Sequence, residues 1–344
     1  MGKIKILLVG FGNIGRSVIT AAPRFPDLEI IGIVTRRPDK VREELNQLFV
    51  AGDSVFISVY DLKDPESYLN CGADVAIMCG GSKADLPKQT PYFAQHFNVV
   101  DSFDTHDHIG PYIDEEGQPR VGHFQEVNIV AENAKNMAIV GVGWDPGTFS
   151  LMRVLLSAGL GIDKAYAFYG LTEKGGLSMG HSNAVKGIPG VVDARQYTHA
   201  NMETIQKLRD NPDFHPSTRE MHWRECRVVI APDADQEKIK QAIISMPAYF
   251  APYDTTVKFV SQTELDEEKD NFSHDGLVIA TGAAGYMEFK NIWKSNPLGT
   301  AGFLLAYARA AYWANENGGY GAFTTIDIPL GNLLPDFGKR LNFF

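Results

Sequence analysis

The first half of the chain alternates short apolar runs with helix-compatible segments, which is typical of parallel strands joined by helices. Five apolar runs predict strands at residues 3–10, 28–37, 55–59, 73–80 and 97–103. Such runs are typical of strands that are covered on both faces of the sheet. Helices are predicted between some of them, at residues 16–22 and 87–97. This order predicts an α/β domain with a doubly wound parallel sheet.

The pattern changes after residue 147. A last apolar strand at 137–147 ends in a polar turn and is followed by a helix at 148–158. Later strands at 228–231, 256–260 and 276–281 are separated by longer polar segments that include a helix at 236–246. We therefore expect an α+β domain with an open sheet over residues 148–296. A small-residue apolar helix at 301–314 predicts that residues 297–344 return to complete the first domain, residues 1–147.

A glycine fingerprint lies between the first strand and the first helix. Gly10, Gly12 and Gly15 follow the GxGxxG spacing, with Asn13 and Ile14 between the last two. In a Rossmann-type domain such glycines allow a tight turn and close approach of a pyrophosphate to the helix N-terminus. The alternative is a glycine-rich turn with a purely structural role.

The end of the second strand indicates which dinucleotide binds. An enzyme that uses NAD would present an acidic residue there, whereas this chain presents Thr35, Arg36 and Arg37. Two guanidinium groups suit a 2′-phosphate, so the sequence predicts NADP as cofactor. Cys79 and Gly80, at the end of the strand 73–80, are assigned to the same site. The alternative is an exposed basic turn paired with Asp39.

Two aspartates follow strands whose carboxyl ends should meet at one edge of the sheet. Asp104 comes just after the strand 97–103, and Asp145 lies in the sequence Trp-Asp-Pro-Gly that closes the strand 137–147. Ligands bind at this edge of such sheets, and carboxylates there can hold a substrate ammonium and take its proton. The alternatives are a solvated loop for Asp104 and a helix N-cap before Pro146 for Asp145.

Composition excludes several classes of protein. With 44% hydrophobic and 22% charged residues, the chain is an ordinary globular protein. A net charge of −10 argues against nucleic acid as a partner. No apolar run approaches the roughly 20 residues that cross a bilayer, so we expect no membrane association and a cytoplasmic location. Three widely spaced cysteines indicate neither a disulfide framework nor a metal site.

The motifs together resemble the NADP-dependent meso-diaminopimelate dehydrogenase family. The similarity rests on GFGNIGRS, TRR, DSFDTH, GWDPGTFS, LSMGHSNAVKGIPGV, ARQYT, MHWRECRVV, MPAYF, HDG and SNP, which occur in this order along almost the whole chain. It implies a homodimer whose second domain also serves dimerisation. The implied reaction belongs to lysine and diaminopimelate biosynthesis. It oxidises the D-centre of meso-2,6-diaminopimelate with NADP and releases ammonia and L-2-amino-6-oxopimelate, which cyclises to tetrahydrodipicolinate.

The resemblance also implies roles for individual residues. Asp104 and Asp145 match the carboxylates at the reacting D-centre. Seven further residues match positions that bind the substrate in this family. Trp144 lies beside the D-centre, and Met179 and Gly180 belong to the loop that closes over it. The residues at the distal L-centre are Thr198, Arg224, His274 and Asn296.

The sequence departs from shorter family members in a longer segment at about 111–125, and Met179 stands where those enzymes often carry Gln. The substrate range therefore stays open, and two alternatives remain. These alternatives to the implied reaction are a broader NADP-dependent D-amino acid dehydrogenase and a non-catalytic NADPH-binding regulatory protein.

Overall fold

The chain folds into two compact units. The computed structural model describes residues 2–48, 57–114, 116–162, 164–247, 249–268, 274–335 and 337–343. The first unit comprises Met1–Leu151 and Asn296–Phe344, and the second comprises Met152–Ser295. The first unit therefore extends past the domain end expected at residue 147, and its return segment begins at Asn296 rather than 297.

The strands are β1 Ile4–Val9, β2 Leu28–Thr35, β3 Ser58–Asp61, β4 Val75–Met78, β5 Asn98–Asp101, β6 Tyr112–Ile113, β7 Pro119–Arg120, β8 Met137–Val140, β9 Tyr166–Tyr169, β10 Gly176–Ser178, β11 Val191–Ala200, β12 His222–Ile230, β13 Asp254–Phe259, β14 His274–Gly282, β15 Gly285–Trp293 and β16 Gly321–Thr324. The helices are α1 Asn13–Ala21, α2 Pro38–Leu48, α3 Pro65–Leu69, α4 Leu86–Ala94, α5 His123–Ala134, α6 Phe149–Leu160, α7 Met179–Lys186, α8 Met202–Asp210, α9 Thr218–Met221, α10 Gln236–Ile244, α11 Gln262–Glu267 and α12 Asn296–Glu316. Short 3₁₀ turns lie among them.

A seven-stranded parallel sheet forms the centre of the first unit, with the order β16-β8-β5-β4-β1-β2-β3. Strand order reverses beside β1, which is the switch point of a doubly wound fold. Strands β1, β4 and β5 are almost entirely buried because apolar clusters cover both faces of the sheet. The predicted Rossmann-type fold is confirmed.

The C-terminal helix α12 belongs to this unit. It packs against α1 and the sheet, and Arg309 on it is buried and forms an ion pair with Asp27. Arg309 also donates to the backbone oxygen of Leu333 at 2.6 Å. Helix α12 thus closes one face of the sheet. Within the described residues no helix has the length and apolar character that a membrane crossing requires.

The second unit contains two sheets, with the orders β10-β11-β12-β13 and β15-β14-β9. Strands β12 and β13 are parallel, whereas the other pairs are antiparallel. Helix α10 packs on the four-stranded sheet β10-β11-β12-β13. Its residues Ile239 and Ile243 belong to the apolar cluster of that sheet. This arrangement confirms the expected second domain with open sheets.

Several local predictions differ from the structure. The strand expected at 55–59 lies partly outside the described residues, and the observed strand, β3, is Ser58–Asp61. The longer segment at about 111–125 contains the small hairpin β6–β7 and the start of α5. Strands β11 and β15 were not predicted, since β11 carries buried polar residues and most of β15 is exposed.

Candidate active site

The glycine turn between β1 and α1 is built for close backbone approach. Gly10 has φ +101°, and a Cβ on it would lie 3.1 Å from the backbone carbon of Cys79. A Cβ on Gly15 would lie 2.5 Å from the backbone oxygen of Gly10. Gly12 precedes the first turn of α1, and no side chain caps that helix. The free N–H groups at its N-terminus can therefore receive an anion.

A cavity of about 150 Å³ opens beside this turn. Seven residues assigned to the cofactor from the sequence line it, namely Gly10, Gly12, Thr35, Arg36, Arg37, Cys79 and Gly80. Asn13, Ile14 and Gly15 lie in the first turn of α1 and are not among its lining residues. The sequence reasoning missed Phe11, Leu62, Asp85 and Gln89, which also line the cavity.

The arginine turn after β2 is held in the cavity wall. The Arg37 backbone N–H donates to Thr35 Oγ1 at 3.2 Å. Arg36 is exposed and lies 3.2 Å from the carboxylate of Asp85. The alternative pairing with Asp39 is absent, because Asp39 binds Arg42 at 2.7 Å instead. Within the described part of the chain Arg37 forms no ion pair, so its guanidinium is available to a ligand.

Asp104 and Asp145 both belong to the first unit. Asp104 is exposed, and its backbone N–H donates to Ser82 Oγ at 2.7 Å. Asp145 lies in a turn with a cis bond to Pro146, and Gly147 has φ +121°. Helix α6 begins only at Phe149, so Asp145 is too far upstream to be its N-cap. Asp145 is therefore not explained by helix capping.

The second unit brings Thr198 and Arg224 together. These residues are register partners in the antiparallel pair β11–β12, and Arg224 Nη1 donates to Thr198 Oγ1 at 2.6 Å. The Arg224 side chain also lies over the ring of Tyr253, 4.0 Å from its centroid. Arg224 is only 7% exposed, its Nε has no hydrogen-bond partner, and no carboxylate pairs with it within the described residues. Tyr253 was missed because its closeness to Arg224 depends on distant parts of the chain.

Two imidazoles lie near Arg224, that of His222 buried and that of His181 partly buried. Burial, with the charge of Arg224 as a smaller cause, lowers the pKa of His181 to about 4 and that of His222 to about 3. His222 Nε2 accepts a hydrogen bond from the Tyr169 backbone N–H at 3.0 Å. A neutral imidazole adds no second positive charge beside Arg224 and supplies no negative charge to offset it.

The lowered pKa of His222 predicts an acid-dependent loss of stability. Its unfolded pKa is about 6.5, so between that pH and about 3 the unfolded chain binds one proton more than the folded chain. The contribution is fully present above pH 6.5 and is lost progressively as the pH falls through this window. His222→Gln keeps an acceptor near Tyr169 but does not titrate. Urea unfolding from pH 7 to 4 is expected to show a shallower decline for this variant, and equal slopes would contradict the assignment.

The remaining predicted site residues lie in both units. In the first unit, Trp144 begins the turn that holds Asp145, and Asn296 begins α12 and accepts from Thr300 Oγ1 at 3.3 Å. In the second unit, Met179 is 62% exposed at the start of α7, with Gly180 next to it. His274 begins β14, and burial lowers its pKa. Asn296 therefore belongs to a different unit from Thr198 and Arg224, with which the sequence had grouped it.

Comparison with known proteins identifies the family. The chain is 42% identical over 341 residues to the meso-diaminopimelate D-dehydrogenase of Ureibacillus thermosphaericus, and the match covers 97% of each chain. The chain belongs to the meso-diaminopimelate dehydrogenase family. The family expected from the sequence motifs is thus confirmed.

Other similarities to this family agree. The model of the diaminopimelic acid dehydrogenase C-terminal domain matches residues 143–294. A C. glutamicum DAP dehydrogenase in complex with DAP superposes with a TM-score of 0.83 at 34% identity, covering 99% of both chains. An engineered D-amino acid dehydrogenase bound to NADP+ gives a TM-score of 0.77 at 33% identity, covering 99% of this chain and 98% of the other.

Proposed function

We propose that the chain catalyses the NADP-dependent, reversible oxidative deamination of the D-centre of meso-2,6-diaminopimelate. The products are L-2-amino-6-oxopimelate, which cyclises to tetrahydrodipicolinate, and ammonia. Family membership and a similar structure described as a complex with DAP support this proposal. Within the chain itself, the supporting observation is the buried and uncompensated charge of Arg224.

Arg224 indicates a substrate with a second anionic group. A guanidinium that is 7% exposed costs several kcal/mol in desolvation unless an anion pairs with it, and the described residues provide none. A carboxylate at the distal end of a diamino diacid would supply that partner and accept from the free Nε. A monoamino D-acid has no such group, which argues against the broader D-amino acid dehydrogenase.

The cavity at the glycine turn fits NADP. The free N–H groups of α1 would hold the pyrophosphate of NADP, and Arg36 and Arg37 would hold its 2′-phosphate. The fit is supported by the uncapped helix, by the backbone of Cys79 against Gly10, and by the unpaired Arg37. When bound, NADP+ supplies the acceptor for the hydride that leaves the D-carbon.

Asp104 and Asp145 hold the reacting amino group in this proposal. A hydride leaves the D-carbon only as the nitrogen lone pair forms the C=N bond, so the bound ammonium must first lose a proton. A carboxylate beside the ammonium orients it and receives that proton. Water then adds to the iminium carbon, and ammonia leaves. Trp144, next to Asp145 in the chain, is assigned to the same end of the substrate.

At the distal end, Arg224 and His274 meet the second carboxylate, and Thr198 and Asn296 provide neutral hydrogen bonds. Met179 and Gly180 are assigned to the segment that covers the substrate. The exposed Met179 and the open space around the Cα of Gly180 suit a segment that contacts a ligand rather than the protein core.

Cofactor preference should depend on the two arginines. Replacing Arg36 and Arg37 with Gln removes two charge-assisted contacts, each worth about 1.5–3 kcal/mol, so NADPH affinity is expected to fall by at least about 100-fold. NADH affinity should change little because NADH has no 2′-phosphate. Fluorescence titration measures both, and Arg42→Gln, which removes the Asp39-paired charge, is the matched control. Equal losses for NADPH and NADH would contradict this assignment.

The product balance tests the proposed reaction. Purified protein with meso-diaminopimelate and NADP+ is expected to form NADPH and ammonia in equal amounts. NADPH formed without ammonia would indicate oxidation at a different group. Cofactor binding without any NADPH formation would favour the non-catalytic regulatory protein.

We also propose a homodimer located in the cytoplasm. The edge strand β15 exposes Tyr286, Met287 and Ile292, which are 50%, 39% and 58% accessible and could be buried by a second copy. The cysteines Cys71, Cys79 and Cys226 are unpaired, in keeping with a reducing compartment. Light scattering of the purified protein tests the dimer, and a monomeric mass at micromolar concentration would contradict it.

A further inference from the structure

One fully buried carboxylate connects the two loops that carry the candidate catalytic aspartates. Asp101, the last residue of β5, is 0% exposed. Its Oδ1 accepts from the backbone N–H of Phe103 at 3.1 Å and from that of Gly141 at 2.9 Å. Phe103 immediately precedes Asp104, and Gly141 begins the loop that leads to Asp145. A single oxygen atom therefore holds both loops.

The other atoms of Asp101 strengthen this connection. Its Oδ2 accepts from Thr90 Oγ1 at 2.9 Å and lies 2.6 Å from His123 Nε2. The His123 ring also stacks on Phe103, with centroids 4.1 Å apart. The backbone oxygen of Asp101 accepts from the Val142 N–H at 2.8 Å. Thr90 and His123 thus fix the carboxylate in place while Oδ1 fixes the loops.

We propose that Asp101 is a positioning residue that sets the separation of Asp104 and Asp145 at the reacting centre. Two hydrogen bonds to a shared, buried and charged acceptor restrict both loops relative to β5, and small displacements of catalytic groups are costly to turnover. Asp101 is buried and is not among the residues that line the dinucleotide cavity. This inference rests on the proposed roles of Asp104 and Asp145.

Two substitutions separate positioning from general stability. Asp101→Leu removes both acceptors and leaves the N–H groups of Phe103 and Gly141 unpaired. Asp101→Asn keeps one acceptor oxygen, while its amide group can donate to Thr90 and, after a change of tautomer, to His123. Thr90→Val is the matched control, since it removes a hydrogen bond to Oδ2 but leaves the contacts of Oδ1 unchanged.

The test measures kcat and KM for meso-diaminopimelate, the dissociation constant for NADPH, and the melting temperature of each variant. We expect kcat to fall about 100-fold in Asp101→Leu and several-fold in Asp101→Asn, with NADPH affinity within twofold of wild type. Thr90→Val should lower the melting temperature, and its kcat should fall far less than that of Asp101→Leu because both contacts of Oδ1 remain. A kcat in Asp101→Asn that lies between those of Asp101→Leu and wild type, with NADPH affinity unchanged, would not follow from a merely structural role.

Three outcomes would overturn the proposal. These are wild-type kcat in Asp101→Asn, a loss of NADPH affinity equal to the loss of kcat, or a fall of kcat in Thr90→Val as large as in Asp101→Leu. If Asp101→Leu does not fold, the Asn variant still decides. A wild-type protein that is inactive on meso-diaminopimelate would refute the proposed function, whereas an active wild type matched by Asp101→Asn would refute only this inference.

Discussion

Replacing Asp104 or Asp145 with Asn is expected to lower kcat for meso-diaminopimelate by on the order of 100-fold or more at saturating substrate. Each change keeps the shape of the side chain but removes the charge that holds the ammonium and the base that receives its proton. General base catalysis contributes about 10²–10⁴-fold to enzymatic rates, which sets the size of the effect. Because both residues lie outside the dinucleotide cavity, NADPH affinity should stay unchanged.

Asp107→Asn provides the matched control for this experiment. Asp107 is exposed and lies three residues after Asp104, so the variant makes the same change of charge near the same loop. Its kcat should equal that of the wild type. Wild-type turnover in both Asp104→Asn and Asp145→Asn would show that the two aspartates are structural.

The second large effect concerns the distal end of the substrate. The double variant Arg224→Met, His274→Asn should reduce kcat/KM for meso-diaminopimelate and raise it, relative to wild type, for an apolar substrate such as D-leucine. Polar groups left unpaired in a buried site cost about 1–3 kcal/mol each, and more when charged. Their removal should shift the ratio of the two kcat/KM values by on the order of 100-fold.

Arg219→Met controls for the loss of one positive charge from the second unit. Arg219 is about half exposed and pairs with Asp254, so its removal should leave the substrate ratio unchanged. If the ratio is also unchanged in the double variant, Arg224 and His274 do not bind the distal end. The substrate would then be supported by family membership alone.

The sequence predicted the dinucleotide site well because its signals are local. A Cβ on Gly15 would meet the backbone oxygen of Gly10, so this spacing in the motif is imposed by geometry within a few residues. Arg36 and Arg37 follow the end of β2 directly, and only their partner could not be foreseen. Asp85 approaches Arg36 across the fold, and a salt bridge of this kind leaves no pattern along the chain.

The second unit was harder to predict for a physical reason. Gln196, Thr198 and His199 are buried on β11, and Arg224 and Glu225 are buried on β12, so β11 and the first part of β12 lack the apolar alternation that identifies a strand. Some of their polar groups bond across strands, as Arg224 does to Thr198, whereas Arg224 Nε, Gln196 Oε1 and His199 Nε2 have no hydrogen-bond partner. Asp101 illustrates the same limit, since its partners come from helices α4 and α5 as well as from its own loop. An acidic residue at the end of a fully buried strand was the one signal that could have identified it.

The stereochemistry of the substrate tests the account most directly. Initial rates of NADPH formation are measured with meso-, LL- and DD-diaminopimelate at equal concentration and saturating NADP+. The account predicts rapid NADPH formation from the meso isomer, since it combines a D-centre for Asp104 and Asp145 with an L-centre for Arg224 and Thr198. The DD isomer should react far more slowly, and the LL isomer should not react. Equal rates with all three isomers, or reaction of LL alone, would contradict the proposed function.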